Sequence, residues 1–248
     1  MKTITTILLL FSHAVVAQVR VTEVKMKFGS EFHKAKDPDI IYPVIIATDK
    51  AVEKKINHTI LFELTRIDSA VSLSKTLLMQ MYEGLSELDY DISLNTKDIL
   101  SLKLNALGCG AYCSTYNIYF NFDLRTGESL KICDIISEED ADSFRAVVLK
   151  DKIKALKRDK KEKDSLLSAG TIDSSDYHIV MEHELQCIGQ VNTDRFLLFK
   201  NEIEIIDPCE FPHVIQALQP VYHLRYSYRK IKKFINPAFL EKLKLSVP

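Results

Sequence analysis

The stretch from Thr115 to Leu124 constrains the fold more than any other part of the chain, because its residues alternate in character. One face would carry Tyr116, Ile118, Phe120, Phe122 and Leu124, and the other Thr115, Asn117, Tyr119, Asn121 and Asp123. A period of two residues is typical of a strand with one face buried and the other facing water. We therefore predict a half-buried antiparallel strand here.

A turn signal ends this strand at Asp123-Leu124-Arg125-Thr126-Gly127. An Asp side chain binds backbone amides ahead of it, and Gly takes the left-handed conformation that a bulged hairpin requires. We expect a hairpin at this point, with Leu130 and Ile132 on its return strand.

The same alternation occurs earlier, over 88–95 and 100–106, with a turn at 95–98. Four alternating runs joined by short turns predict a meander with one face on a core. Apolar residues have helical periodicity at about 52–66 and 70–82, and again after Ser137. We expect these helices to pack on the apolar face of the sheet. The predicted fold class is α+β, with antiparallel meander sheets packed against helices. Pro43 predicts an edge strand or a bulge in the β-branched run 40–47.

Residues 1–17 resemble a secretory signal, with Lys2, an apolar run at 7–11 and small residues before Gln18. A buried N-terminal strand or helix is the alternative. The apolar run is shorter than the roughly 20 residues that span a bilayer, and no later stretch is apolar enough to do so. We predict export to the periplasm or the extracellular space, without stable membrane insertion. The remainder, 18–248, would form one domain or two lobes, 18–136 and 137–248.

The charge balance argues against a general nucleic-acid ligand, because the formal net charge is only -1. One Lys-rich run, 150–164, has two interpretations. It could be a basic patch for acidic polymers, or a solvated helix end whose cations alternate with Asp and Glu. The mixed signs favour the solvated helix.

Cysteines in an exported chain indicate disulfides. A bridge between Cys187 and Cys209, which flank a predicted hairpin, would close a loop of about 22 residues and contribute roughly 3 kcal/mol. In an extended strand the Cα atoms of Cys109 and Cys113 would lie about 13 Å apart, too far to pair. These two can join only if the chain bends back at the neighbouring glycines. Cys133 is then unpaired.

The sequence contains no motif that identifies a chemical reaction. His178 and His183 are five residues apart, so their rings diverge on a strand or a helix and make a poor metal site. The chain has no G-x-S-x-G, no H-E-x-x-H and no Gly-rich phosphate loop. We expect no catalytic residue, no metal and no cofactor. Asn121 and Asp123, on the polar face of the central strand, are the candidate ligand contacts, although turn formation and solvation explain them equally well.

Five segments together resemble a bacterial extracytoplasmic domain. They are Tyr42-Pro43-Val44-Ile45, Ile56-Asn57, Leu100-Ser101-Leu102, Asn121-Phe122-Asp123-Leu124-Arg125-Thr126-Gly127, and the strand from Val221 with Tyr226. The domain is the outer part of the lysozyme-sensing anti-sigma factor RsiV, and a similar module is appended to the peptidoglycan deacetylase PdaC. The resemblance implies an exported α+β domain that acts by binding.

This chain departs from that family at two loops, 109–113 and 207–213, and loops commonly carry recognition. We expect an exported, non-catalytic binding domain for cell-wall glycan or for a secreted protein such as a lysozyme-type enzyme. One alternative is a small exported hydrolase, in which carboxylates or His178 and His183 converge in the fold. Another is an envelope assembly or structural protein, which a large apolar surface patch would indicate.

Overall fold

A computed structural model describes residues 19–27, 39–68, 72–209, 211–212 and 219–246. The predicted signal segment 1–17 lies outside these ranges. So do residues 213–218, for which the sequence predicts one helical turn stopped by Pro220. Within them, no helix combines the length and the hydrophobicity that a membrane span requires.

The described residues form two sheets and several helices, which confirms the α+β class. The strands are β1 (Arg20–Lys27), β2 (Asp39–Ile46), β3 (Leu85–Asn95), β4 (Ile99–Cys109), β5 (Cys113–Asp123), β6 (Phe196–Leu198), β7 (Glu202–Pro208) and β8 (Val221–Ser227). The α-helices are α1 (Lys50–Thr65), α2 (Leu73–Tyr82), α3 (Ile132–Ile135), α4 (Ala141–Ser168), α5 (Ser174–Cys187), α6 (Tyr228–Ile231) and α7 (Pro237–Ser246). The strand orders are β1-β2-β3-β4-β5 and β6-β7-β8.

The predicted meander is confirmed in β3, β4 and β5, which pair antiparallel in chain order. The five-stranded sheet is nevertheless mixed, because β2 pairs with β3 in parallel, registered at Ile40 and Leu88. A parallel pair needs a crossover, and α1 and α2 lie between the two strands in the chain.

The expectation that Pro43 marks an edge or a bulge is wrong, because β2 lies between β1 and β3. The backbone N–H and C=O of Ile45 both bind the Asn57 side chain, each at 2.8 Å. Ile45 therefore directs its polar groups away from β1, and so does Pro43 two residues earlier. The missing N–H of Pro43 removes no bond from the β1 ladder, and the registered pairing of β2 with β3 is at Ile40 rather than at Pro43, so this inner strand tolerates it.

The first core lies between α1, α2 and one face of the five-stranded sheet. Asp49 caps α1 by accepting from the backbone N of Ala51 at 2.8 Å. The buried positions of α1 recur every four residues, at Val52, Ile56, Ile60 and Leu64. They pack with the apolar face predicted for the meander, including Leu100, Leu102, Leu104, Phe120 and Phe122.

The turn after β5 is confirmed, but its return strand is not. Gly127 has φ 73° and donates from its backbone N to the Asp123 carbonyl at 2.7 Å. After one bridge at Ser129 the chain enters α3, in which Asp134 accepts from the backbone N of Lys131 at 2.7 Å. This cap starts a helical turn where continued pairing was expected.

The second core is formed by α4, the three-stranded sheet and the C-terminal helices. The Lys-rich run continues α4 as far as Ser168. The sequence of 177–187 alone fits a strand and a helix equally, and the structure places this segment in α5. The predicted hairpin at 196–206 and the final strand are β6, β7 and β8. Leu94 and Ile99 of the first sheet also enter this core, so the two sheets pack on each other. The division into lobes at residue 136 stays a prediction.

Candidate functional site

Asn121 lies between the two sheets and is buried. Its Nδ2 donates to the Phe196 carbonyl at 2.9 Å, and its Oδ1 accepts from the Ser101 hydroxyl at 2.7 Å. The Ser101 hydroxyl in turn accepts from the backbone N of Leu198 at 3.0 Å. Both polar ends of Asn121 are thus used inside the molecule, which makes it a structural link rather than an accessible ligand contact.

Asp123 is also largely buried, and its carboxylate is occupied. Lys242 of α7 donates to its Oδ2 at 2.5 Å, and the backbone N of Arg125 donates to its Oδ1 at 2.9 Å. Burial alone would raise the pKa of Asp123, but the hydrogen bonds from Lys242 and the Arg125 backbone, together with the positive charges of both residues, outweigh it and hold the pKa below the usual value. Asp123 therefore fixes the turn and α7. It also lines a cavity of about 280 Å³ beside α7, and its role as a ligand contact stays a prediction.

The turn between β4 and β5 is closed by a disulfide between Cys109 and Cys113, whose Cα atoms lie 4.0 Å apart. The backbone N of Cys109 donates to the Gly84 carbonyl at 2.7 Å. Gly84 has φ 113°, and any Cβ there would overlap the Cys109 carbonyl. The tip of the hairpin is thereby held against the chain that leaves α2.

Several large apolar side chains are exposed on α2 and on the hairpin between β4 and β5. Tyr112 at the tip is 79% exposed, and Tyr82 in the last turn of α2 is 72% exposed. Leu78, Met79 and Tyr116 are also more than a third exposed. These five residues make up half of the ten large apolar residues that the described ranges expose. We call them the aromatic end.

A groove of about 430 Å³ runs beside the hairpin tip. It is lined by Gln80, Glu83, Gly84, Leu85, Gly108, Cys109, Gly110, Ala111, Tyr112, Ser114 and Tyr116. The groove combines exposed backbone with two of the aromatic side chains. Its shape suits an apolar side chain or a short loop of a partner.

The second disulfide joins Cys187, the last residue of α5, to Cys209 after β7, with Cα atoms 5.6 Å apart. Cys133 is exposed and unpaired. The structure does not bring the two histidines of α5 together. The His178 ring lies 5.6 Å from that of Tyr177, and the His183 ring 5.3 Å from that of Phe211, centroid to centroid. No group of three or more potential metal ligands is found among the described residues.

One pair of carboxylates, on Glu184 and Asp159, is linked by a lysine between α5 and α4. Glu184 of α5 is buried, and Lys163 donates both to Glu184 and to Asp159 of α4. Burial first, and then the hydrogen bond with Asp159, raise the pKa of Glu184 to about 7. The bridging ammonium and the lack of exposure make this a packing cluster between two helices.

The sequence analysis missed the aromatic end. Tyr82 and Tyr112 are 30 positions apart, and only the contact of Gly84 with Cys109 brings their segments together. The available signal was the pair of glycines around Cys109 together with the short cysteine spacing, which correctly indicated a bent tip.

No protein-family model matches the chain, and no curated protein matches it. Solved structures do share the fold. A member of the DUF3298 family from Bacteroides fragilis NCTC 9343 is 13% identical, with a TM-score of 0.59, over 93% of this chain and 99% of that one. A DUF3298 family protein from Pseudomonas aeruginosa PAO1 is also 13% identical, with a TM-score of 0.55, over 88% and 95% of the two chains. The chain therefore has the fold of these domains of unknown function, while the likeness to the RsiV outer domain stays a prediction.

Proposed function

We propose that this chain is an exported, non-catalytic binding domain whose ligand is a secreted protein, contacted through the aromatic end. The observation that carries the proposal is the concentration of exposed apolar side chains around one disulfide-closed tip. Exposed apolar clusters of this kind mark interaction sites more often than scattered apolar residues do.

The composition of the aromatic end favours a protein ligand over a glycan. Tyr and Met are enriched in the centres of protein interfaces, where large side chains fill pockets of the partner. The Cys109–Cys113 bridge and the Gly84 contact hold Tyr112 in place before binding. A pre-organised tip loses little conformational entropy on association, which raises affinity.

Two further observations support an extracellular role. Two disulfides fit an oxidising compartment, since thiols stay reduced in the cytosol. Residues 1–17 have the pattern of a signal peptide. The resemblance to the lysozyme-sensing RsiV domain makes a lysozyme-type enzyme the first ligand to test.

The experiment compares retention of the purified chain on immobilised lysozyme and on insoluble peptidoglycan. The test variant is Y82A/Y112A, and the matched control is L185A, which removes a 64% exposed side chain on α5. We expect lysozyme to retain the wild type and L185A but not Y82A/Y112A.

Three results would contradict the proposal. Retention on peptidoglycan alone, lost in Y82A/Y112A, would replace the protein ligand by a glycan. Equal retention of all three proteins on lysozyme would show that the aromatic end does not contact lysozyme. No retention on either support would overturn the proposal that the ligand is a lysozyme-type enzyme.

A further inference from the structure

A second concave site lies where α4, the end of α5 and β7 meet, and encloses about 420 Å³. Most of its lining is polar: Arg145, Lys152, His183, Gln186, Gln190, Asn192, Thr193, Asp194 and Asp207, with Cys187, Val191 and Pro208. We call it the amide cleft after its three carboxamide side chains. The protein binding proposed above involves the aromatic end and not this cleft.

The floor of the amide cleft is a buried ion pair. Lys152 Nζ lies 3.0 Å from Asp207 Oδ2, and the two side chains are 1% and 3% exposed. Lys152 Nζ, which has three N–H donors, also donates to the Gln190 carbonyl at 2.6 Å. Asp207 Oδ2 is therefore partnered by the Lys152 ammonium. A carboxylate oxygen can accept more than one hydrogen bond, so Asp207 keeps acceptor capacity for a ligand.

Tyr222 is the cross-strand partner of Asp207, on β8 beside β7, so the two side chains lie on the same face of the sheet. Its hydroxyl is buried without a hydrogen-bond partner among the described residues, but Tyr222 packs with Leu156, Val180 and Phe211 and does not line the amide cleft. Asp207 is therefore the buried polar group that this strand pair offers to the cleft.

The rim of the cleft supplies both donors and acceptors. Gln186, Gln190 and Asn192 are exposed and carry carboxamides, each of which donates through its N–H groups and accepts through its oxygen. The fixed charges balance, because two cations, on Arg145 and Lys152, stand against two carboxylates. The second carboxylate is that of Asp194, on the rim.

We propose that the amide cleft binds a neutral polyhydroxylated molecule, of the chemical class of a pyranose sugar. One hydroxyl donates to Asp207 Oδ2, and the rim carboxamides bind the others. A hydroxyl both donates and accepts, which matches a wall of amides. The carboxylates of Asp194 and Asp207 would repel an anionic ligand, and the cations of Arg145 and Lys152 would repel a cationic one. The charge balance of the cleft therefore favours a neutral ligand. The volume lies within the range of about 300–1,000 Å³ that small-molecule sites occupy.

The test is a titration of the isotopically labelled full chain by NMR, with glucose and N-acetylglucosamine as probes. Sodium sulfate and ethanolamine are the charged comparison ligands. We expect saturable shifts of the side-chain amide signals of Gln186, Gln190 and Asn192 with at least one sugar. The variant Q186A/N192A should weaken that binding about tenfold, as loss of two hydrogen bonds implies. The control N117A, an exposed amide on β5, should bind as the wild type does.

The floor is tested separately, because D207N alone leaves Lys152 buried without its partner and can fail to fold. The double variant K152M/D207N removes both charges, and its thermal unfolding is checked first. A folded double variant that has lost sugar binding supports the role of Asp207. Absence of saturable shifts with both sugars, or larger shifts in the cleft with sulfate or ethanolamine, would overturn the proposal. Lysozyme retention by the aromatic end is a separate readout, so either site can fail alone.

Discussion

The side-chain amide of Asn121 donates a 2.9 Å hydrogen bond to the backbone carbonyl of Phe196, and this bond joins the five-stranded sheet to the three-stranded sheet. Asn121 lies on β5 and Phe196 begins β6. Because the same amide also accepts from Ser101, a buried polar chain crosses the interface between two apolar cores.

Replacement of Asn121 by Ala should lower the free energy of unfolding by about 2–4 kcal/mol, because it leaves the Phe196 carbonyl without its donor and the Ser101 O–H without its acceptor, at about 1–2 kcal/mol each. The Ser101 oxygen still accepts from the backbone N of Leu198. The control N117A removes an exposed Asn from the same face of β5 and should change stability by less than about 0.5 kcal/mol. Urea unfolding of both variants measures the difference. Equal stability of N121A and N117A would show that the link contributes nothing.

The alternating pattern predicted β3, β4 and β5, because period-two burial is a local property of each strand. Because the pattern is local, it predicted a solvent-facing position for Asn121, which is in fact buried between the two sheets. A polar residue on the wet face of an isolated sheet has the same pattern as one that pairs with a second sheet, and only the packing of β6 against β5 distinguishes them. The sequence pattern likewise does not reveal the aromatic end, because this end is assembled by a tertiary contact between Gly84 and Cys109.

Helix α5 shows the opposite case, in which the local pattern was undecided. From Tyr177 to Cys187 the apolar residues fit neither period well, and only Val180 and Glu184 of this helix are buried. Its position depends on the bridge to Cys209 and on the cluster around Glu184, and both are tertiary contacts. The continuation of α4 through the Lys-rich run was likewise set by packing, since Lys152 and Leu156 are buried within it.

Stability should fall as the pH rises from about 4.5 to about 7, because of Glu184. Burial and the neighbouring Asp159 raise the pKa of Glu184 from 4.5 to about 7 in the folded chain, although Lys163 opposes this shift. Tyr222 faces the same cluster from β8. The folded state thus binds the proton more tightly than the unfolded state. The resulting stabilisation is complete below about pH 4.5 and is lost as the pH rises through about 7.

The variant E184Q carries a neutral side chain at every pH and should lack this loss. We expect it to exceed the wild type in stability above about pH 7.5 by on the order of 2 kcal/mol, since each pKa unit corresponds to about 1.4 kcal/mol. The control E182Q changes an exposed carboxylate on the same helix and should follow the wild type. Urea unfolding between about pH 5 and pH 8.5 tests this, and parallel curves for E184Q and the wild type would contradict it.

The two disulfides should differ in what they stabilise. Cys187–Cys209 spans 22 positions, so the variant C187S/C209S should lose roughly 3 kcal/mol of unfolding free energy. Cys109–Cys113 spans only four positions, so C109S/C113S should lose less, about 2 kcal/mol. The second variant should nevertheless lose more affinity for the protein ligand, because the tip is then no longer pre-organised. Denaturant unfolding without reductant gives the stabilities. A larger loss for C109S/C113S would contradict this order.

Gly84 should be the least replaceable glycine at the hairpin tip. It has φ 113°, a conformation that side chains with Cβ rarely adopt, and a Cβ would overlap the backbone carbonyl of Cys109. Because that carbonyl belongs to β4, the strand itself has to shift. We expect G84A to lower stability by more than about 3 kcal/mol, the sum of backbone strain and steric displacement.

Gly110, which lies within the hairpin tip, provides the matched control. A Cβ at Gly110 would have no neighbour within 4 Å, so G110A should change stability by less than about 1 kcal/mol. Since Gly84 holds the tip against the end of α2, G84A should also separate Tyr82 from Tyr112 and reduce retention on lysozyme, whereas G110A should keep it. Thermal unfolding and retention on the same two variants measure both effects. Full retention by a folded G84A would mean that the contact between Gly84 and Cys109 does not assemble the aromatic end.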